Sequence, residues 1–453
     1  MHEQSYRHDM GDGLVARWST RADREKILAI TGFVFREKAS DPVNPNWDYW
    51  INDLMTGHPL ASADDFAVVE DTRTGDLVAS LIVMSAEWEY AGIPFTIGRP
   101  EAVVSHPEYR NRGLVRQLFA MFHARSTARG QLVQGVTGIS YFYRQFGYEY
   151  ALDLGGVRNV PIGVVPQLKP EQTDDFGLRR ATVGDLTQVQ MLYERERSRT
   201  AAGHPLLTTA RIESHIWRWL LSVQSPDNTE GWVTWMIDDT EGRAVGYVLT
   251  RRKRWGGGLG IVGFATEPGT SMAAVLPPVL RALVPIAHET PRARPEAPER
   301  ADTLRFGLGQ AHPAYDLLGD NLAFPLDPPY AWYVRVPDLP AFIRRVTPAL
   351  ERRISSSSLS GYTGEVRIDF YRGGLRLVFA AGKLTEVEDW RAPVWEAGAK
   401  AGFPPGVFLQ LMFGRRSLAD LKYAFPDVWA DGDVGVLLET LFPKRVSWVQ
   451  ALD

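Results

Sequence analysis

A basic turn holding one glycine, set between an apolar strand and a helix, governs what the first part of this chain can become. Ala102-Val103-Val104-Ser105 leads through His106-Pro107-Glu108-Tyr109 into Arg110-Asn111-Arg112-Gly113-Leu114-Val115-Arg116. Leu114, Leu118, Met121 and Phe122 then recur at the spacing of a helix with one face on a sheet. The start of such a helix presents N–H groups without intrahelical partners and the positive end of its dipole, and the arginines add charge. The combination predicts a site for a phosphate-bearing ligand. Farther on, Phe142-Tyr143-Arg144-Gln145-Phe146-Gly147-Tyr148 brings a dense aromatic segment, in whose vicinity Tyr141 and Tyr148 read as packed core tyrosines.

Around this stretch residues 23–35 and 47–55 read as helices, 66–70 and 77–84 as a hairpin, and 131–136 as a strand. Residues 1–13 are polar with two glycines and read as a flexible terminus. The same order of elements returns after Gly177, with a hairpin at 232–237 and 244–250, a strand at 260–264 and a helix over 271–288 that Pro277 and Pro278 should kink or interrupt. Its turn, Ala265-Thr266-Glu267-Pro268-Gly269-Thr270, puts an acid where a phosphate needs cations. The second unit therefore reads as scaffold without a cofactor site. A third unit has a helix to about Arg353, strands at 364–370 and 374–379, and apolar helical pieces near 408–412, 417–421 and 435–443. The expected class is α/β with mixed sheets, divided into 14–155, 176–335 and 336–453, since 453 residues exceed what one core usually organises.

Composition narrows the chemistry. The chain has no cysteine, which excludes disulfides, thiolate nucleophiles and thiolate metal sites. Its histidines form no His-x-x-x-His pair, so no metal is expected. A formal net charge of -4 gives no footprint for nucleic acid. No run approaches the roughly 20 apolar residues of a membrane span, and the first residues are too polar for a signal peptide, so a cytoplasmic location is expected.

The strand followed by Pro107-x-x-Arg110-x-x-Gly113-Leu114, with the later Phe142-Tyr143-x-x-Phe146-Gly147-Tyr148, resembles the acyl-CoA site of GNAT-superfamily N-acetyltransferases. The longer context is similar to the Eis-like branch. That resemblance implies two tandem GNAT-like folds followed by a sterol-carrier-like α+β domain, in a hexamer. It implies an acetyl-CoA-dependent N-acetyltransferase that passes the acetyl group directly to a primary amine of an aminoglycoside, polyamine or lysine-like acceptor. Val103, Val104 and Ser105 would then hold the pantetheine arm, with Gly138 and Ile139 opposite. The N–H groups from Asn111 through Arg112, Gly113, Leu114 and Val115 to Arg116 would hold the pyrophosphate. Tyr143 would be the general acid for the leaving thiolate.

The resemblance assigns the general base to the C-terminal carboxylate, here that of Asp453, with Glu89 and Glu101 as alternatives on strands near the cofactor. It places Trp47, Trp50, Trp88 and Tyr90 along the acceptor cleft, where aromatics beside Glu87 and Glu89 would suit a cationic amine. The competing reading is a non-catalytic acyl-CoA-binding or lipid-carrying protein whose third unit holds the ligand.

Overall fold

The structure, a computed structural model, describes residues 6–36, 45–222, 231–294, 296–391 and 398–450. The first stretch of chain supplies β1 (Arg7–Gly11), β2 (Leu14–Trp18), α1 (Arg24–Val34), α2 (Pro45–Thr56), β3 (Phe66–Asp71), β4 (Asp76–Tyr90), β5 (Ile93–Ser105), α3 (Leu114–Ala128), β6 (Val133–Val136) and β7 (Glu149–Leu154). Within the stretch expected to be a flexible terminus, Arg7–Gly11 instead forms β1, antiparallel to β2. Gly11 and Gly13, which looked like breakers, take the positive φ that a tight hairpin turn needs.

The middle of the chain supplies β8 (Arg158–Pro161), β9 (Phe176–Arg180), α4 (Leu186–Arg197), the two-residue strands β10 (Thr200–Ala201) and β11 (His204–Pro205), and β12 (Thr208–Arg211). It continues through α5 (Ser214–Ser222), β13 (Trp232–Asp239), β14 (Ala244–Arg251), β15 (Gly258–Thr266), α6 (Met272–Glu289), β16 (Thr303–Phe306), α7 (Pro313–Leu322) and β17 (Tyr330–Arg335). The last part gives α8 (Leu339–Ser355), β18 (Gly364–Asp369), β19 (Gly374–Ala380), β20 (Lys383–Asp389), β21 (Ala401–Gly402), α9 (Val407–Met412), α10 (Leu418–Ala424), β22 (Trp429–Ala430) and α11 (Gly432–Leu441).

Three mixed sheets result, in the α/β class expected. The first runs β1-β2-β3-β4-β5-β6-β17-β7 with β12 alongside β4; the second runs β8-β16-β15-β14-β13-β9; the third runs β20-β19-β18-β21-β22. The first two exchange strands. β17 leaves the second stretch of chain to lie between β6 and β7, antiparallel to both, while β8 crosses the other way to close the edge beside β16. A division at residue 335 thus follows order along the chain, whereas in space β17 belongs to the first sheet. The sequence hides this because β17 is an apolar strand that would suit either sheet.

Pro277 and Pro278 do not break α6, which runs unbroken through both and through Pro285. An interior proline costs about 3 kcal/mol. Val275, Leu276, Val279, Leu280 and Leu283 are buried against the second sheet, each stabilising by about 1.5–3 kcal/mol. Packing wins. By length and composition this helix is apolar enough to cross a membrane, a feature the sequence reading had missed, but here that apolar face covers the second sheet.

One hydrophobic core joins the first sheet to the third unit. Trp88 on β4 meets Trp332 on β17 edge-on at 5.3 Å, and Phe342 of α8 packs on Tyr90 and Phe95 at 5.9 and 5.3 Å. Val366, Ile368, Leu375 and Leu377 line the inner face of the third sheet and belong to the same core, while Glu365, Arg367, Arg376 and Glu386 pair on its outer face. The Trp332 indole N–H also donates to the carbonyl of Val449 at 3.3 Å. Trp332→Ala is expected to lower unfolding stability by about 3–5 kcal/mol, measured by urea denaturation. Trp332→Phe, which keeps most of the packing and loses the hydrogen bond, should lower it by about 1 kcal/mol.

Candidate active site

β5 and β6 run parallel, but their pairing is confined to Ile97 with Val133 and Gly98 with Gln134. Beyond that the strands part, and backbone groups on both are left facing a gap rather than each other. On its other side β5 carries a bulge. Ser80 pairs with Val104 and Ile82 with Glu101, so Ala102 and Val103 together face the single residue Leu81, and Ala102 takes a φ of 48°.

At the end of β5 the turn predicted from sequence is present. Asn111 and Gly113 both adopt left-handed backbone, at φ 63° and 76°, and Gly113 caps α3. The first helical bond is from Gln117 N–H to the Gly113 carbonyl at 3.0 Å, so the N–H groups of the turn before it open outward. A Cβ on Gly113 would meet no protein atom within 4 Å. Glycine is therefore required for its left-handed backbone, and its bare Cα faces open space. Arg112 lies over the Tyr109 ring at 5.2 Å and Arg116 over Phe146 at 5.9 Å. Among the described residues none of Arg110, Arg112 and Arg116 is ion-paired.

These elements surround a cleft of about 850 Å³. Val103, Val104 and Ser105 form one wall, Asn111, Gly113, Leu114, Val115 and Arg116 the end, and Ile139 the far side. Arg112 and Gly138, also expected at the cofactor, stand just outside that lining. The sequence reading missed Val34 and Phe35, which close the cleft from the end of α1, and Gln145 and Phe146 from the aromatic segment. Nothing in the α1 pattern marks Phe35, because a helix-terminal aromatic reads equally as core. The bulge at Ala102 was equally hidden, since it depends on pairing with β4.

Tyr143 sits behind the cleft, 4% exposed, among Phe119, Tyr148 and Tyr333. A Cβ on Gly138 would lie 3.7 Å from its hydroxyl, so the phenol reaches the backbone that opens the strand gap. Burial pushes its pKa well above the ordinary range, and the Glu101 carboxylate adds to this. The phenol therefore stays protonated. His123, 3.2 Å from the Tyr148 hydroxyl, is pushed down to about 3 by burial and by Arg335, and stays neutral. Tyr148 is core as expected, whereas Tyr141 is 68% exposed, because it takes a left-handed turn conformation that swings it out of the sheet.

The acceptor assignments change most. Trp88 is 2% exposed and Tyr90 fully buried, inside the core shared with the third unit. The alternation of β4 turns them inward, and the other face carries the acids. Glu89 accepts from Arg197 at 2.8 Å, and Glu87 pairs with Arg211 of β12 at 2.5 Å. Trp50 is 6% exposed in a second core. Of this group only Trp47 approaches the cleft, stacking at 4.5 Å on Phe35 and at 6.1 Å on Trp255 of the second unit. Glu101 is ion-paired with Arg99 at 2.6 Å. Asp453 lies outside the described residues. The segment leading to it is docked: Leu207 and Trp448 donate backbone N–H bonds to Val446 and Thr208, at 2.8 and 2.9 Å.

In the second unit the equivalent gap is filled. Parallel pairing of β15 with β16 ends at Ile261 and Phe306. The Gln450 side chain donates to the carbonyls just beyond, Val262 at 3.2 Å and Gly307 at 2.9 Å. The buried Glu196 carboxylate accepts from Phe264 N–H at 3.1 Å, and His312 bonds the Phe264 carbonyl at 3.0 Å.

Residues 16–151 match the profile of an acetyltransferase (GNAT) domain. Several solved structures share the whole architecture at low identity. A conserved Enterococcus faecalis protein, an N-acyltransferase candidate, superposes with a TM-score of 0.67 at 14% identity over 97% of this chain and 100% of its own. A GCN5-related N-acetyltransferase of Kribbella flavida gives 0.61 at 18% identity over 97% and 99%. Eis1 of Mycobacterium abscessus gives 0.57 at 14% over 97% and 99%. No curated protein matches the sequence. The first unit matches a GNAT acetyltransferase domain and shares the fold of these structures, and the gap between β5 and β6 is the candidate active site.

Because the turn depends on left-handed backbone at Gly113, Gly113→Ala is expected to lower stability by about 1–3 kcal/mol, read by calorimetry.

Proposed function

We propose that the protein is an acetyl-CoA-dependent N-acetyltransferase that transfers the acetyl group directly to a primary amine. The observation that carries this reading is the open strand gap, with a phosphate turn at one end and the Tyr143 phenol at the other. The N–H groups from Asn111 to Arg116 would take the pyrophosphate, with Arg110, Arg112 and Arg116 adding charge. The pantetheine arm would lie between Val103–Ser105 and the Gly138-Ile139 edge. The bulge at Ala102 and Val103 supplies backbone N–H groups that could receive the thioester oxygen as it becomes negative.

Tyr143 would protonate the departing thiolate. Its raised pKa makes it a weak acid in isolation, but a thiolate formed in the same buried place is equally poorly solvated and takes up a proton readily. The acceptor class remains that of aminoglycosides, polyamines or lysine side chains. The sterol-carrier likeness of the third unit, assembly as a homo-oligomer and a cytoplasmic location belong to the same proposal and rest on the resemblance to Eis.

The test is turnover with spermine, kanamycin and a lysine peptide, following thiol release. At least one acceptor should turn over. Tyr143→Phe should lower kcat on the order of 10²-fold while the acetyl-CoA Kd changes little. Acetyl-CoA binding with no thiol release from any acceptor would instead identify a non-catalytic carrier.

A further inference from the structure

The side chains proposed from sequence as general base are engaged elsewhere: Glu89 with Arg197 and Arg211, and Glu101 with Arg99. The crossing strand β17 brings a different polar group to the gap. Tyr330 and Tyr333 reach Tyr150 of β7, whose hydroxyl lies 2.9 Å from that of Tyr330 and 2.5 Å from that of Tyr333. The Tyr141 N–H donates to the same Tyr150 oxygen at 2.9 Å. The three phenols grip the far edge of the gap. The Tyr333 oxygen lies 3.1 Å from the Ile139 carbonyl oxygen, and that of Tyr330 3.5 Å from the Gly138 carbonyl oxygen.

The chain of hydroxyls has an outer and an inner end. Tyr330 is 41% exposed, and its bonds to Gly138 and Ser140 are long, so it has capacity for another partner. Tyr333 is fully buried, and its ring packs at 5.3 Å on that of Tyr143. Charged groups reach Tyr150 from every side. Arg144 lies 5.2 Å from its ring centroid and is paired with Glu149, while Arg415 lies 5.9 Å away and is held by Asp153. Of these charges, that of Arg144 favours a negative Tyr150 oxygen.

We propose that Tyr330, Tyr150 and Tyr333 form the proton-accepting element of the acetyl transfer, taking the proton that the acceptor amine loses. The inference rests on the N-acetyltransferase reading above. The amine nitrogen forms its bond to the acetyl carbon, the carbon–sulfur bond breaks with its electron pair on sulfur, and Tyr143 gives its proton to that sulfur. The proton lost from nitrogen binds at the Tyr330 oxygen as the proton already on Tyr330 moves to Tyr150, which enters the step as phenolate. The triad is then one proton richer and Tyr143 one poorer. Proton exchange with water, at the exposed Tyr330 for the triad and after the thiol leaves for Tyr143, restores both, and no outside co-reactant is consumed. Burial opposes ionisation of Tyr150, but hydrogen bonds from Tyr330, Tyr333 and Tyr141 N–H, with Arg144 nearby, bring its pKa below the ordinary phenol value, while that of Tyr143 is raised.

The test uses Tyr150→Phe and Tyr330→Phe in the full chain, with acetyl-CoA and the best of the three acceptors. Tyr150→Phe should lower kcat on the order of 10²-fold and remove the phenol's component from the acid limb of kcat/KM, with the acetyl-CoA Kd within about two-fold. Tyr330→Phe, at an exposed position, should lower kcat in the same direction. With tyrosines labelled at Cζ, carbon NMR should show one phenol ionising below the rest, absent in Tyr150→Phe. Unchanged kcat, weaker acetyl-CoA binding at unchanged kcat, or no early-ionising phenol would each overturn the proposal and leave a purely structural clamp. If Tyr143→Phe is impaired while Tyr150→Phe is not, the triad alone is wrong. A wild-type protein that acetylates no amine removes the enzymatic reading and the triad with it.

Discussion

Two parallel strands that stop pairing leave unpartnered N–H and carbonyl groups at the point where they separate, and something must satisfy them. This fold makes that separation twice. In both units the chain also inserts an extra residue on the opposite edge of the splayed strand, at Ala102–Val103 in β5 and at Val262 in β15. The two gaps therefore have the same backbone construction and differ in what fills them. In the second, Gln450 caps two carbonyls and a buried carboxylate, Glu196, takes the Phe264 N–H. In the first, a cleft of about 850 Å³ remains open to solvent. The same backbone groups are capped by side chains in one unit and line the candidate site in the other.

Filling the second gap has a price in buried charge. Glu196 and His312 lie within 3.6 Å of each other at full burial. Burial raises the pKa of Glu196 despite Arg199 and Tyr247, and lowers that of His312 well below its usual value. Such a network stabilises only when every member has a partner. Its partners come from α4, β14, β15 and the segment before α7, so it locks those elements together. The crossing strands add a second lock. With β17 in the first sheet and β8 in the second, neither sheet is complete without chain from beyond the other, and the two units are expected to unfold as one.

Much of this was legible where the signal is local. The strand, the basic turn and the start of α3 follow from Val103 through Arg116, since a left-handed glycine before an amphipathic helix leaves few alternatives. Long-range pairing was not legible. Trp88 and Glu89 are neighbours with opposite fates, one core and one ion-paired, and which face of β4 meets which partner depends on α8 and β12, far along the chain. The place of β17 in the first sheet was hidden for the same reason. Tyr150 looked like one aromatic among many, because its environment comes from residues 330 and 333.

The crossing of β17 connects these points. A strand that only completed a sheet could carry any β-branched or aromatic residues. This one places two phenols, Tyr330 and Tyr333, across the edge of the gap and Trp332, between them in sequence, on the opposite face against Trp88. Alternation puts Trp332 and Tyr333 on opposite faces, because successive residues on a strand point to opposite faces, while Tyr330 reaches the same Tyr150 hydroxyl from the start of the strand. One strand therefore ties the core to the docked C-terminal segment through Trp332 and Val449, and ties the open gap to Tyr150. Any slip of its register by one residue would exchange Trp332 for Tyr333. Stability of the joint core and polarity of the gap's far edge are thus set by the same pairing.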